Sequence, residues 1–460
     1  MPLSAPGRTK PPTHNIPRRC HIDSIGQNRI SQIQRPLACR NLAAAALRLL
    51  PRIKLTTVRQ DPDSARNLAI RDVLMTADSS AMVRCVVPAL GDKPMNGPGE
   101  KATMPILPAA IRAARHGAKD LPLVRVDTYG AELRDASGQG FLGDRASNRA
   151  FIAILEDWRE RVRRGCGEDP FGDQRPSGEI DRQELDRVLQ AAEADPEAAG
   201  LVQSAIEDFA QEMAGVVRRL LRLPQWKGTE RIALGGGFLG SRVGRLAVGR
   251  VGILLKAGGE RVQMSPVSRH PDDAALCGTV HLAPPELLRQ CDVVLAADIG
   301  GTNIRAGLVS LGQREEGLLS QANVLFSELW RHADEKPERE EAVDRLASML
   351  SKLARRADEK GMRLCNVIGV GCPGLIRDDG VIERGGQNLP GGGWEDASFN
   401  FPARLATVLT KSGQSEPLVI LHNDAVVQGL SETSAMQDIE HWAVLTIGTG
   451  LGNARFTNQR

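Results

Sequence analysis

The strongest constraint in this sequence is a repeated local pattern. Short apolar runs each end in a polar or glycine-rich turn, and amphipathic helices lie between them. Val293–Ala297 runs into DIGGTN, Val367–Gly371 into CPG, Leu418–Leu421 into HNDA, and Ala443–Ile447 into GTGLG. Arg231–Leu234 reads as a short buried strand running into Gly235-Gly236-Gly237. Between such strands, a helix is expected over about 200–223, with Val202, Ile206, Phe209, Met213, Val216 and Leu220 at three- and four-residue spacing. Its acids lie early and Arg218, Arg219 and Arg222 lie late, which suits the helix dipole. A second helix over about 338–356 places Val343, Leu346, Leu350 and Leu353 on one face. Strands alternating with helices define an α/β protein, and such sheets put their ligand sites just past strand ends.

Composition narrows the choice. The 460 residues suggest about three domain-sized units or two large lobes. With nine Phe, five Trp and one Tyr, the core must be mainly aliphatic. The net charge of +3 divides unevenly: residues 1–60 hold eleven basic residues and one acid, Asp23, so the remaining 400 carry −7. This argues against a nucleic-acid-binding body and leaves the basic tail open as a nucleic-acid arm, a transit peptide or the product of a start codon placed too far upstream. Eight cysteines without a C-x-x-C spacing suit reduced thiols in a cytoplasmic protein, not a disulfide framework or a zinc ribbon. No apolar run reaches the ~18–20 residues a bilayer span needs.

Five motifs carry the chemistry. In the first, a strand delivers Asp298, then Gly300, Gly301, Thr302 and Asn303, and a second strand resumes at Ile304. The glycines let the backbone approach a bulky anion, and bare N–H groups can cradle it. Asp298 suits Mg²⁺, directly or through water, as phosphoryl transfer needs. A plain β-hairpin with a capping Asp is the bland reading. The second motif, Gly448-Thr449-Gly450, opens from a strand in the same way. The third, GGGFLG (235–240) with Glu260 about twenty residues on, also matches a dinucleotide fingerprint, so an NAD(P) site must be weighed. In the fourth, Asp424 falls where a strand hands over to a helix and could accept a proton from a substrate hydroxyl; it could equally be an ordinary N-cap. The fifth is Gly371-Cys372-Pro373-Gly374, then Gly385–Gly391 and Trp394, with the Asn388 amide suited to sugar hydroxyls. Cys372 reads as a small packed residue.

Together these motifs resemble the ROK family of sugar kinases and repressors, within the hexokinase/actin-like ATPase superfamily. DIGGTNIRAGLV resembles its first phosphate motif, LTIGTGLG its second, IALGGG its adenosine motif, HNDA the segment with the catalytic aspartate, and GVGCPG and QNLPGG with Trp394 its sugar-side loops. The resemblance covers about 120–460 and implies a two-lobed actin-like ATPase (ribonuclease H-like) fold, with nucleotide and sugar in the cleft between lobes, and a homodimer. It implies an ATP- and Mg²⁺-dependent hexose kinase. Asp424 would be the general base. Asn423, Asn388, Pro373 and Gly374 would lie at the sugar, and Gly236 and Gly237 would leave flat space for adenosine. Asp298 would hold Mg²⁺ while Gly300–Asn303 and Gly448–Gly450 grip the phosphates from opposite lobes. A sugar-responsive transcriptional regulator is the alternative the same family offers.

Two features depart from that family. The glycine triplet lies upstream of Asp298, whereas in the family it follows the second phosphate motif. The chain thus reads as a circular permutant: 1–80 a disordered basic extension, 81–119 an irregular linker, 120–288 a lobe of second-half type, and 289–460 a lobe of first-half type. A fusion of fragments that never forms one site is the other reading. The Glu-x-Gly-His and cysteine-rich zinc loop of many family members are also missing, so no structural zinc is expected. In the matching stretch Glu132, Asp135 and Asp144 remain as sugar ligands.

Overall fold

The computed structural model describes residues 115–134, 140–172, 174–312, 319–411 and 415–459. The chain divides into two units, 1–103 and 104–460, and the first lies wholly outside the described residues. The expected basic extension (1–80), on which the regulator reading rested, is therefore among the residues not described.

The earlier part of the chain holds β1 (Val124–Tyr129), α1 (Asn148–Cys166), α2 (Arg182–Gln190), α3 (Pro196–Leu221), β2 (Arg231–Gly235), α4 (Arg242–Ala257), β3 (Gln263–Pro266), α5 (Pro271–Thr279) and α6 (Pro285–Leu288). The later part holds β4 (Val293–Ile299), β5 (Ile304–Ser310), β6 (Asn323–Trp330), α7 (His332–Glu335), α8 (Arg339–Glu359), β7 (Leu364–Cys372), β8 (Leu375–Ile376), β9 (Ile382–Arg384), α9 (Phe401–Lys411), β10 (Leu418–Asn423), α10 (Asp424–Leu430), β11 (His441–Ile447) and β12 (Leu451–Asn458). Local chemistry sets the long helices. Ser147 caps α1 through the Ala150 N–H, and Asp195 caps α3 ahead of Pro196, with Arg218 and Arg219 in its last turn. The buried face of α3 carries Phe209, which meets Phe151 of α1 at 5.8 Å and Phe238 at 5.1 Å between ring centroids. With the buried Trp226, these rings anchor a mainly aliphatic core, each Phe contributing about 1.5–3 kcal/mol by burial.

Among the described residues the strands form two five-stranded sheets, ordered β10-β7-β4-β5-β6 and β1-β12-β11-β2-β3, plus the ribbon β8-β9. In the first sheet β4, β5 and β6 form an antiparallel meander, and β7 and β10 extend it in parallel on the far side of β4. In the second, β11, β12 and β1 form the meander, and β2 and β3 extend it in parallel beside β11. The two topologies coincide only when the second sheet is read as β11, β12, β1, β2, β3. Space thus restores the order that the sequence inverts. At the inversion, Val124 lies opposite Asn458, and the Gln459 N–H donates to the Leu123 carbonyl at 3.0 Å, where a hairpin turn would otherwise run.

The fused-fragment reading fails here, because β11 and β12 complete the sheet of the earlier segment. For the same reason the sheets do not separate at residue 288: Thr446 of β11 lies opposite Gly235 of β2. Where the halves meet, α5 and α10 cross backbone to backbone. A Cβ on Gly278 would stand 1.6 Å from the Val427 carbonyl oxygen, so only glycine allows this approach. No helix among the described residues is long and apolar enough to cross a membrane.

Candidate active site

The site begins with three neighbouring strands. Asp298, near the end of β4, lies opposite Gly371 of β7, and Gly371 lies opposite His422 of β10, two residues before Asp424. A Cβ on Gly371 would lie 3.5 Å from Asp298 Oδ1 and 3.7 Å from Asp424 Cα. The atom nearest that position is Val427 Cγ2, at 2.5 Å, so the missing side chain lets α10 pack closely on β7 and brings Asp424 near Asp298. Burial raises both acids. Asp298 is pushed up to about 6, with the Asp424 and Asp272 charges adding to burial and Arg305 opposing it. Asp424 is raised by burial, against the hydrogen bond that its Oδ1 accepts from the Ala425 N–H at 2.8 Å. The same surroundings drive the Cys372 thiol well above its ordinary range, through burial first and then the two carboxylates. A thiol held protonated is no nucleophile, so Cys372 packs as expected.

The two phosphate-type turns come from different sheets and meet. Thr302 Oγ lies 3.2 Å from Thr449 Oγ. The first turn closes through the Gly300 N–H to the Asn303 carbonyl at 2.8 Å, and His332 Nε2–H donates to the Gly300 carbonyl at 2.9 Å. The second closes through the Gly448 N–H to the Gly450 carbonyl at 2.9 Å, and the first N–H of α1, that of Asn148, donates to the Gly448 carbonyl at 3.0 Å.

The glycine triplet joins this cluster, but its residues differ. Gly236, at φ +89°, would place a Cβ 2.4 Å from the Ile447 carbonyl oxygen, so on that side it packs against the end of β11. Gly237 has nothing within 4 Å of such a Cβ and does border open space; its carbonyl accepts a hydrogen bond from the Arg182 guanidinium. The dinucleotide reading fails on geometry. β2, α4 and β3 do form a βαβ unit, yet Glu260 precedes β3 and pairs with Arg218 at 2.9 Å, at the wrong end of that strand for a ribose.

On the sugar side, Asn388 packs against the first turn, its Cβ 3.1 Å from where a Gly301 Cβ would lie. Its Oδ1 accepts from Arg149 Nη2 at 3.2 Å. Pro373 is half-buried in the loop that follows β7. The Gly374 carbonyl accepts from Asn423 Nδ2 at 3.0 Å. Asn423 itself is buried, and its Oδ1 accepts the N–H groups of Ala425 and Val426. Its amide therefore caps α10 and ties down the Gly374 loop, in place of the expected direct role at a sugar. Trp394 is likewise internal: it is buried against Phe399 and Phe401, and its Nε1–H donates to the Pro390 carbonyl. Glu132 lies 3.5 Å from Arg384, Asp144 stands exposed ahead of α1, and Asp135 is outside the described residues. Among the described residues no three His, Cys, Asp or Glu side chains are grouped to hold a metal.

Four residues here escaped the sequence reading. Arg305 bridges the halves, 2.5 Å from Asp272 on α5 and 3.6 Å from Asp298. Arg149 reaches the sugar-side loop from the other half. His116 and Gly117 lie in the stretch read as irregular linker, yet they brace β10: the Leu421 N–H donates to His116 Nδ1 at 3.1 Å, and the Gly117 N–H to the Leu421 carbonyl at 3.0 Å. Arg305 lay inside the first motif as a cation two residues past the turn. The other three had no local signal, because their partners are more than 200 residues away.

Two sheets of one topology, with paired carboxylates and glycine turns at their facing ends, define the two-lobed actin-like ATPase class. Residues 294–460 match the model of the ROK family. Similar solved structures include a Listeria monocytogenes protein assigned as an N-acetylmannosamine kinase (26% identity, 36% of this chain, 47% of that one, TM-score 0.26). A protein assigned as a sugar kinase from Cytophaga hutchinsonii ATCC 33406 shows 18% identity over 36% and 48% of the two chains, with a TM-score of 0.27. An exopolyphosphatase-like protein shows 14% identity over 53% and 86%, with a TM-score of 0.23. The chain thus spans about half the length of the two sugar-kinase structures. Curated proteins give no match.

Proposed function

We propose that the protein is a cytoplasmic ATP-dependent kinase of a hexose or hexose-like sugar. The observation that carries this reading is the pair Asp298 and Asp424 flanking Gly371, beside two glycine turns joined at Thr302 and Thr449. In this reading Asp424 accepts the proton of the attacking sugar hydroxyl, and its raised pKa keeps it a usable base near neutral pH. Gly300, Gly301, Thr302 and Asn303 hold phosphate oxygens from one side, and Gly448, Thr449 and Gly450 hold them from the other. Asn388, with the Pro373-Gly374 loop fixed by Asn423, faces the sugar, and Gly237 borders the adenosine.

A cation suits Asp298. Burial and two neighbouring carboxylates raise this acid to about 6, and a divalent ion would relieve that cost. Mg²⁺ needs only one or two protein carboxylates when phosphates supply further oxygens, so a single Asp298 is enough to hold it. Held there by Asp298, such an ion would supply positive charge to offset that of the phosphate oxygens.

The test is ADP release from Mg-ATP with glucose, mannose, N-acetylglucosamine and N-acetylmannosamine. Turnover is expected on at least one sugar. Asp424→Asn should lose it by at least 10³-fold while still binding ATP. Full activity in that variant removes Asp424 as the base, and no turnover on any sugar removes the kinase reading.

A further inference from the structure

We propose that Arg149 is a further catalytic residue, whose guanidinium contacts the phosphoryl group in flight; the inference rests on the kinase reading above. Arg149 is the second residue of α1. The backbone of α1 begins on the second phosphate turn, through the Asn148 N–H to the Gly448 carbonyl at 3.0 Å. The positive end of a 19-residue helix thus points at the place where an anion is expected. The Arg149 side chain leaves that turn and ends on Asn388 Oδ1, at 3.2 Å, in the sugar-side loop. Asn388 in turn packs on Gly301 of the first turn. The guanidinium therefore spans the gap between the nucleotide turns and the acceptor loop, which a transferred group must cross.

Charge singles out the same residue. Neither turn, 300–303 or 448–450, contains a cation. Arg305 is matched by two carboxylates, Asp272 and Asp298. Arg149 has no carboxylate partner among the described residues; its one side-chain bond is to a neutral amide oxygen. Such a bond is worth about 0.5–1.5 kcal/mol and yields readily to a phosphoryl oxygen, which binds a guanidinium roughly twice as strongly. In the step itself, the bond from the γ-phosphorus to the β,γ-bridging oxygen breaks and its electron pair leaves with ADP. A bond forms from the sugar oxygen to phosphorus, and the hydroxyl proton passes to Asp424. Arg149 exchanges no proton; it balances charge on the equatorial oxygens.

The experiment uses the full chain, as wild type, Arg149→Ala and Arg149→Lys, with the sugar from the panel that wild type turns over fastest. The alanine variant should lose about 10²–10³-fold in kcat, with KM for the sugar within about threefold. ADP alone and the sugar alone should raise its Tm as in wild type. The further rise with ADP, aluminium fluoride, Mg²⁺ and sugar together should vanish, and millimolar guanidinium should restore part of the turnover. If the alanine variant does not fold, the lysine variant carries the test, with an expected loss of about tenfold, since it keeps the charge without the fork. An active wild type with an unchanged kcat in Arg149→Ala overturns this role alone. So does a raised sugar KM at unchanged kcat, which marks a latch on Asn388. A wild type inactive on every sugar overturns the kinase reading and this inference with it.

Discussion

Gly278 lies in α5, outside every turn that faces the cleft, yet it should control turnover. Gly278→Ala would put a methyl carbon 1.6 Å from the Val427 carbonyl oxygen. An ordinary carbon–oxygen approach is about 3.3 Å, so α5 and α10 must separate by roughly 1.7 Å or tilt. The blocking atom is backbone, so no rotamer change relieves it. α10 starts at Asp424, and half of that displacement would move the base by nearly 1 Å. A 1 Å misplacement costs on the order of 10²-fold in rate, and overpacking of this kind costs about 1–3 kcal/mol of stability. The assay is kcat for ADP release, with Tm on the same samples. The expected result is a kcat lower by about 10²-fold and a Tm lower by several degrees. Gly215→Ala in α3 is the control. Nothing lies within 4 Å of its Cβ position, so it should gain about 0.5–1 kcal/mol at unchanged kcat. Wild-type kcat and Tm in Gly278→Ala would refute the close crossing and its link to Asp424.

The remaining predictions concern the two carboxylates and their supports. Asp298 titrates at about 6 when folded and near 3.8 when unfolded, so protonation favours the folded state. That stabilisation is complete below about pH 3.8 and is lost as pH rises through 6. Asp298→Asn should therefore be more stable than wild type at pH 7.5, by on the order of 2–3 kcal/mol, and the gap should close near pH 4 in denaturant titrations. Asn423→Ala removes the cap of α10 and frees the Gly374 carbonyl; a loss of about 1 kcal/mol and a kcat reduced at least tenfold are expected in melting and turnover assays. Mg-ATP should raise Tm and NAD⁺ should not; a rise with NAD⁺ alone would reopen the dinucleotide reading of GGGFLG.

The strands and their terminal turns were legible because the information is local. β4, β7, β10 and β11 each carry a short apolar run, and each ends within two residues of the position read from sequence. α3 and α8 were legible for the same reason, through spacing and charge order. What was not legible depends on pairs distant in sequence. Asn423 looked like a sugar ligand because a polar side chain beside a catalytic Asp usually faces the cleft; only the fold shows both ends of its amide committed. Gly236 looked like open space because a glycine carries no sign of what stands above it, and here that is the Ile447 backbone. His116 and Gly117 sit in a stretch without periodicity, and their order comes from hydrogen bonds to Leu421, some 300 residues on.

On the proposed kinase reading, the shared topology of the two sheets accounts for one base, Asp424, and not two. Each phosphate turn is the first hairpin of its meander, β4–β5 in one sheet and β11–β12 in the other. The loop at Pro373 and the glycine triplet likewise both follow the fourth strand of a sheet. By the same correspondence α5 is the counterpart of α10, and Asp272 in the first turn of α5 is the counterpart of Asp424 in the first turn of α10. The twins part in their electrostatics. Asp272 is half exposed and paired with Arg305 at 2.5 Å, so its charge is balanced by a guanidinium. Asp424 is half-buried and has no cationic partner among the described residues, and its removal from water raises its affinity for a proton. A duplicated scaffold offers two carboxylates at equivalent places. The position of one arginine, on the strand that follows Asp298, balances the charge of the first and leaves the second for the proton transfer proposed above.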